Sequence, residues 1–225
     1  MARNNRRRQK AAEKEAVEQE SFFEKHLRLI AGIAVVIVLV VVAIVLARIF
    51  INKRGAKAEL ALFPCEQYFQ QGNYEKALEG DGQQCDGFVT VANQYSMTKA
   101  GNLAKLYAGV SYAQLGKYDE AKQYLEKFSP KKDEMISPAA LGALGNTYVQ
   151  LGEQEKGAET LVKAAKKADN TVLSPLFLVQ AGEVYESLGN VDKALELYEQ
   201  VKSNYRASVQ GSEIDKYIER AKSSK

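Results

Sequence analysis

Few side chains in this sequence have the types and spacing that bond-making chemistry requires. The only histidine, His26, stands just ahead of an apolar run at residues 29–47 that holds no charge and no amide. If that run crosses a membrane, His26 lies on one side and the long remainder of the chain on the other. Serine–histidine, cysteine–histidine and histidine–metal chemistry are then excluded from that remainder. Carboxylates are plentiful, yet pairs such as Asp119 with Lys122 and Glu159 with Lys163 have the spacing of a solvated helical face. The loop at residues 81–87 lacks carboxylates at the alternate positions of a calcium loop and a glutamate in register after them. Gly109 and Gly116-Lys117 are wrongly spaced for a phosphate-binding loop, and no Ser or Thr follows.

Cys65 and Cys85 are the only cysteines. In an oxidising compartment they could form a disulfide worth about 3 kcal/mol on a chain-entropy estimate. The preferred alternative is a small Cys65 in a helix contact and a free thiol at Cys85, since spacing alone does not bring the two together. The expectation is therefore no catalytic residue, no metal, no cofactor and no small-molecule substrate. Function must reside in a surface.

That surface is presented by repeating elements. Gly72, Gly116, Gly152 and Gly189 each lie four residues after a tyrosine, at Tyr68, Tyr112, Tyr148 and Tyr185. Five residues after each glycine comes another small residue: Ala77, Ala121, Gly157 and Ala194. Recurrence of this kind predicts an all-α solenoid of antiparallel helix pairs. The small residues admit close helix contact, and the glycines supply the positive φ that ends each first helix. Pro64-Cys65 interrupts the pattern in the unit around Tyr68, and its second helix should stop at residues 79–82. Residues 55–98 are thus expected to form a degenerate repeat with a loop or cap. Residues 99–225 should hold three good repeats and a capping helix that carries Ile214, Tyr217, Ile218 and Ala221 at helical spacing. Ser137-Pro138 and Ser174-Pro175 read as caps with first-turn prolines.

The apolar run fixes where the array is held. At 1.5 Å per residue, residues 29–51 match the thickness of a bilayer core as one transmembrane signal anchor. Residues 1–28 carry eight basic and five acidic residues, which leaves 23 of each sign for the rest of the chain. The basic excess predicts a cytoplasmic tail. A cleaved signal peptide, with Ala56-Lys57-Ala58 as the cleavage spacing, fits less well because the apolar run is too long. The neutral remainder gives no indication of nucleic-acid binding.

The repeats resemble the tetratricopeptide repeat (TPR) through Leu141, Leu144-Gly145, Tyr148, Gly157 and Leu161 in one unit. In the next, Leu178, Ala181-Gly182, Tyr185, Ala194 and Tyr198 take the same places, and Ala108-Gly109, Tyr112, Ala121 and Leu125 do so earlier, with Lys105 as the departure. The resemblance implies that first helices line a concave groove. Its inward positions would be Leu103, Leu106, Val110 and Gln114, then Ala139, Asn146, Val149 and Gln150, then Leu176, Val179, Glu183 and Glu186. One end is apolar and the other acidic, which suits an extended or helical peptide with apolar and basic side chains. Leu103, Leu106 and Leu176 could instead belong to the core. Only Asn146 fits the carboxylate clamp of some such proteins, so that mode is not expected.

With its short tail, one anchor and the terminal stretch at residues 203–222, the chain resembles the YfgM-like family of bacterial inner-membrane proteins. That resemblance implies a single-pass protein of the inner (cytoplasmic) membrane, its repeats in the periplasm, ancillary to the SecYEG translocon. Partners would be translocon subunits, a membrane-anchored prolyl isomerase or other periplasmic chaperones, and exported clients. A cell-envelope assembly scaffold of Tol-Pal type is the alternative. An organellar import receptor with cytosolic repeats is disfavoured by the charge bias. Protease added to spheroplasts should digest the repeats while sparing an N-terminal tag; protection of the repeats would reverse the topology.

Overall fold

The computed structural model describes the backbone of residues 2–224 and the side chains of residues 10, 26, 27 and 29–224. The basic residues of the N-terminal tail other than Lys10 lie outside the described side chains. All regular structure among the described residues is helical, in the order α1 to α10. The chain divides into two compact units, residues 1–52 and 53–225.

Helix α1 (Ala2–Gln70) runs through both units. Its apolar run is rich in valine and isoleucine, residues that favour strands in water. A helix is what satisfies every backbone group where no water is present. The helix is long and apolar enough to cross a membrane by length and composition, and its side chains, Leu39 and Ile44 among them, are exposed within the first unit.

The second unit takes in the end of α1, which continues through Pro64, then α2 (Tyr74–Glu79) and α3 (Phe88–Gln94). Three helix pairs follow: α4 (Lys99–Gln114) with α5 (Tyr118–Glu126), α6 (Ile136–Gln150) with α7 (Gln154–Ala168), and α8 (Leu173–Ser187) with α9 (Val191–Asn204). From α3 onward each helix packs on the next, and first helices also meet, α4 with α6 and α6 with α8. The terminal α10 (Val209–Ser223) packs on α9 and α8, where another first helix would stand. Its buried Ile214, Ile218 and Ala221 close the core at that end.

The pairs close because small residues face large ones. A Cβ on Gly109 would strike Leu125, one on Gly145 would lie 2.9 Å from Leu161 Cγ, and one on Gly182 would enter the ring of the fully buried Tyr198. The turns after the first helices place Gly116, Gly152 and Gly189 at φ 73°, 82° and 74°, where a side chain would be strained.

Two local expectations need correction. Ser137 and Ser174 do not cap helix starts: α6 and α8 begin one residue earlier, and both serines are buried within the first turn. Asp133 accepts the N–H groups of Met135 and Ser137, and Asn170 those of Val172 and Leu173, so these upstream residues act as the caps. Each serine instead ties its helix back to what precedes it, Ser174 by donating to the Ala165 carbonyl at 2.8 Å. Lys122 does not pair with Asp119 but reaches Glu153, 2.6 Å away at the start of the following unit's second helix. Charge at this surface links neighbouring repeats.

Gly182→Ala should lower stability by about 1–3 kcal/mol, because overpacking against Tyr198 outweighs the helix propensity gained. Gly55→Ala, on α1 in the second unit with nothing within 4 Å of the added carbon, should be neutral or stabilising. Urea unfolding followed by circular dichroism checks both.

Candidate functional site

One face of α1 within the second unit carries Glu59, Leu62, Phe63 and Glu66 at the i, i+3, i+4, i+7 spacing of a single helical stripe. Leu62 is buried, but Phe63 remains 61% exposed. Helix α4 lies between α1 and α6, since it shares one core with Leu62 and Cys65 of α1 and another with Ala140 of α6. Together α1, α4 and the connection from α5 into α6 bound an open hollow of about 570 Å³. Its lining is mainly apolar, with Phe63, Leu103, Phe128 and Ile136 the large side chains. Charged groups also line it: Glu59 and Glu66 from α1, Lys99 from α4, Lys131 and Asp133 from the connection.

The walls are braced by polar contacts. Asn102 on α4 donates to the Ser129 carbonyl at 2.9 Å and accepts the Ser129 N–H at 2.8 Å, which holds the α5–α6 connection against α4. Behind α1, Cys65 and Cys85 are joined in a disulfide with their Cα atoms 5.0 Å apart. The preferred free-thiol reading thus gives way to the bonded one, because α2 folds back and lays the glycine loop against α1. Gly87 N–H also points at Cys65 Sγ, 3.3 Å away. In the same loop, Asp81 Oδ1 accepts the N–H groups of Gln83, Gln84 and Cys85, each at 2.9 Å, and Oδ2 accepts the Tyr68 hydroxyl at 3.0 Å. Hydrogen bonds from Gln83 and Cys85 hold the Asp81 carboxyl down at about 2, and the hydrogen bond that Tyr68 donates to Asp81 raises Tyr68. Tyr107 of α4 stacks on Phe88 of α3 at 5.0 Å and tilts against Phe69 of α1 at 5.0 Å.

The residues assigned to the groove from sequence are distributed differently. Leu106 is buried, packed with Leu125, Phe128 and Ala140, and Val110 is half-buried beside it. Val179 is buried in the C-terminal core, against which Leu176 packs. Val149 closes the contact between α6 and Gly157 of α7. Gln114, Asn146 and Gln150 are exposed, and Asn146 donates to Gln180 across α6 and α8 at 3.4 Å. Glu186 accepts two hydrogen bonds from Arg220 of α10, both 2.9 Å, and one from the Tyr198 hydroxyl at 3.1 Å. The Arg220 contact lowers the Glu186 carboxyl, while partial burial raises that of Glu183 nearby. Helix α10 thus takes up much of the acidic end.

The hollow's α1 wall, with Glu59, Leu62 and Phe63, was missed. Its signal was available: Leu62 and Phe63 precede Tyr68 by the same intervals as Leu106 and Tyr107 precede Tyr112. Pro64-Cys65 obscured that register. Among the described residues no group of three or more His, Cys, Asp and Glu side chains could hold a metal.

A family model described as tetratricopeptide repeat matches residues 103–129 and 177–208, which correspond to most of α4 with α5 and of α8 with α9. Among solved structures, the TPR-like repeats of a putative kinesin light chain from Podosopora anserina are 17% identical at a TM-score of 0.59, covering 76% of this chain and 87% of that one. A tetratricopeptide repeat protein from Parabacteroides merdae is 16% identical at a TM-score of 0.59, covering 75% and 61%. No curated protein matches the sequence. The fold is therefore a TPR-like helical solenoid. Within that class, this chain joins two segments that match the tetratricopeptide repeat model to one long apolar helix.

Two outcomes follow for the N-terminal brace. Replacing both cysteines by serine should cost about 3 kcal/mol in urea unfolding; unchanged stability would show that the bond contributes nothing. A carboxyl depressed from 3.8 to about 2 contributes stability that is complete above its ordinary value and lost as pH falls through the lower one. Asp81→Asn should therefore remove a loss of stability seen in the native protein between about pH 4 and pH 2.

Proposed function

We propose that this protein is a non-enzymatic, membrane-tethered adaptor that binds proteins or peptides in the periplasm, ancillary to the SecYEG translocon and periplasmic chaperones. The observation that carries the reading is the open apolar hollow of about 570 Å³ on a repeat scaffold, with Phe63 largely exposed at its edge. Exposed aromatic surface beside a shaped apolar cavity is what a protein partner covers. The buried Cys65–Cys85 disulfide suits an oxidising compartment. The basic N-terminal tail agrees in direction, and the resemblance to the YfgM-like family supplies the translocon as the site of action. Tethering raises the effective concentration of the repeats for partners at the same membrane.

A photo-crosslinking amino acid at Phe63, and a second at exposed Gln150, tests this in living cells. Translocon subunits and periplasmic folding factors should be recovered, more strongly from position 63. Recovery of envelope-synthesis proteins in their place would favour the assembly scaffold and overturn the translocon role.

A further inference from the structure

The hollow between α1, α4 and the start of α6 has a definite charge pattern, and its own side-chain amide is already in use. We propose that its occupant is an amphipathic helix of a partner protein, with acidic side chains on the flank meeting Lys99 and Lys131 and basic side chains on the flank meeting Glu59. This rests on the adaptor reading and specifies the form and charge of the partner.

The occupant is helical because the hollow offers few partners to an extended backbone. There is no strand among the described residues to which a peptide could add. The α1 and α4 walls come from helices whose backbone groups mostly bond internally, the exceptions being the carbonyl that Pro64 leaves without a donor and the first-turn N–H groups of Lys99 and Ala100. Asn102, the side chain placed to hold a peptide amide, spends both its donor and its acceptor on Ser129. The Lys105 ammonium donates to the Ser96 carbonyl at 3.2 Å. An extended segment would therefore bury more amide groups than the lining can partner, whereas a helix brings its own. A cavity of about 570 Å³ receives a few bulky side chains from one helical face, the i, i+3, i+4, i+7 anchors of a helix in a groove.

The charges come from different walls. Glu59 comes from α1, Lys99 from the first turn of α4 and Lys131 from the α5–α6 connection. Among the described residues none of these three makes an ion pair. Lys105 and Lys127 lie near Lys131 in charge terms: partial burial, then Lys127 and Lys131, lowers the Lys105 ammonium. Asp133 also lines the hollow but is held by the Ser137 hydroxyl and by the N–H groups of Ser137 and Met135. On α1, Glu66 adds a second carboxylate and interacts with the Tyr107 hydroxyl. Opposed signs on different walls of an apolar hollow contribute more to selection and direction of the partner than to affinity.

The test uses the full chain in phospholipid nanodiscs, with empty nanodiscs as the control for lipid binding. The probe is a fluorescent peptide of about 18 residues, five helical turns, with Leu and Phe on one face, Glu on one flank and Lys on the other. A second peptide carries Lys on both flanks, and a third is the first with a central Pro that prevents a helix. Anisotropy should show the mixed-flank peptide binding roughly ten-fold tighter than either. In Lys99→Glu/Lys131→Glu, both exposed positions, the order should invert so that the all-Lys peptide binds best. Equal binding of the first two peptides, tight binding of the Pro form, an unchanged order in the variant or no binding at all would overturn the proposal. If Phe63 still crosslinks to translocon subunits in cells, such a failure falls on this proposal alone; without those crosslinks the adaptor reading fails too.

Discussion

Close approach of two helices across a seam of small residues is the constraint on which this structure depends. Each pair closes only because Gly109, Gly145 or Gly182 leaves room for Leu125, Leu161 or Tyr198. Close contact lets dispersion forces and apolar burial act over the whole helix length, which offsets the entropy of ordering short helices that would not form alone. The seam also sets the angle at which the next pair must stack. A repeat array therefore inherits its curvature, and any concave face, from residues that never touch a partner.

The two ends of the array are completed in different ways. At the C-terminal end, α10 supplies apolar Ile214 and Ile218 to the core, and Arg220 pairs with Glu186. Tyr198, buried and hydrogen-bonded to Glu186, is pushed strongly upward and stays a neutral donor. A potential acidic patch is thereby converted into an internal contact. At the N-terminal end no helix pair of ordinary form stands outside α4. The end of α1, a six-residue α2 and α3 take that place, held by a disulfide, by the Asp81 turn and by stacked aromatic rings. That irregular closure leaves the hollow beside Phe63 uncovered. The open surface lies where the repeat pattern is weakest.

Much of the fold was legible from spacing. Tyr–Gly intervals located the first helices and their positive-φ turns, and period 3.6 marked the capping helix, because helix geometry imposes both on a local stretch. The glycine loop at residues 79–82 ended α2 where expected. The candidate site was less legible. Leu106 and Val179 occupy positions that the repeat resemblance assigns to the groove, yet neighbouring side chains bury them. Glu186 reads as groove charge until Arg220, 34 residues later, is folded onto it. Asp133 and Asn170 cap helices from several residues upstream, a role that the Ser-Pro pairs beside them concealed.

By itself the sequence determined the helical class, the repeat register, the absence of a histidine-based site in the repeats and one segment apolar enough to cross a membrane. These depend on residue type and short-range spacing, which act before any distant contact forms. Only the tertiary structure decided that Cys65 meets Cys85, that α10 takes up Glu186, and that α1, α4 and the start of α6 together enclose a hollow. Each of these joins residues distant in the chain, and their approach is set by the stacking of whole helices rather than by any local preference.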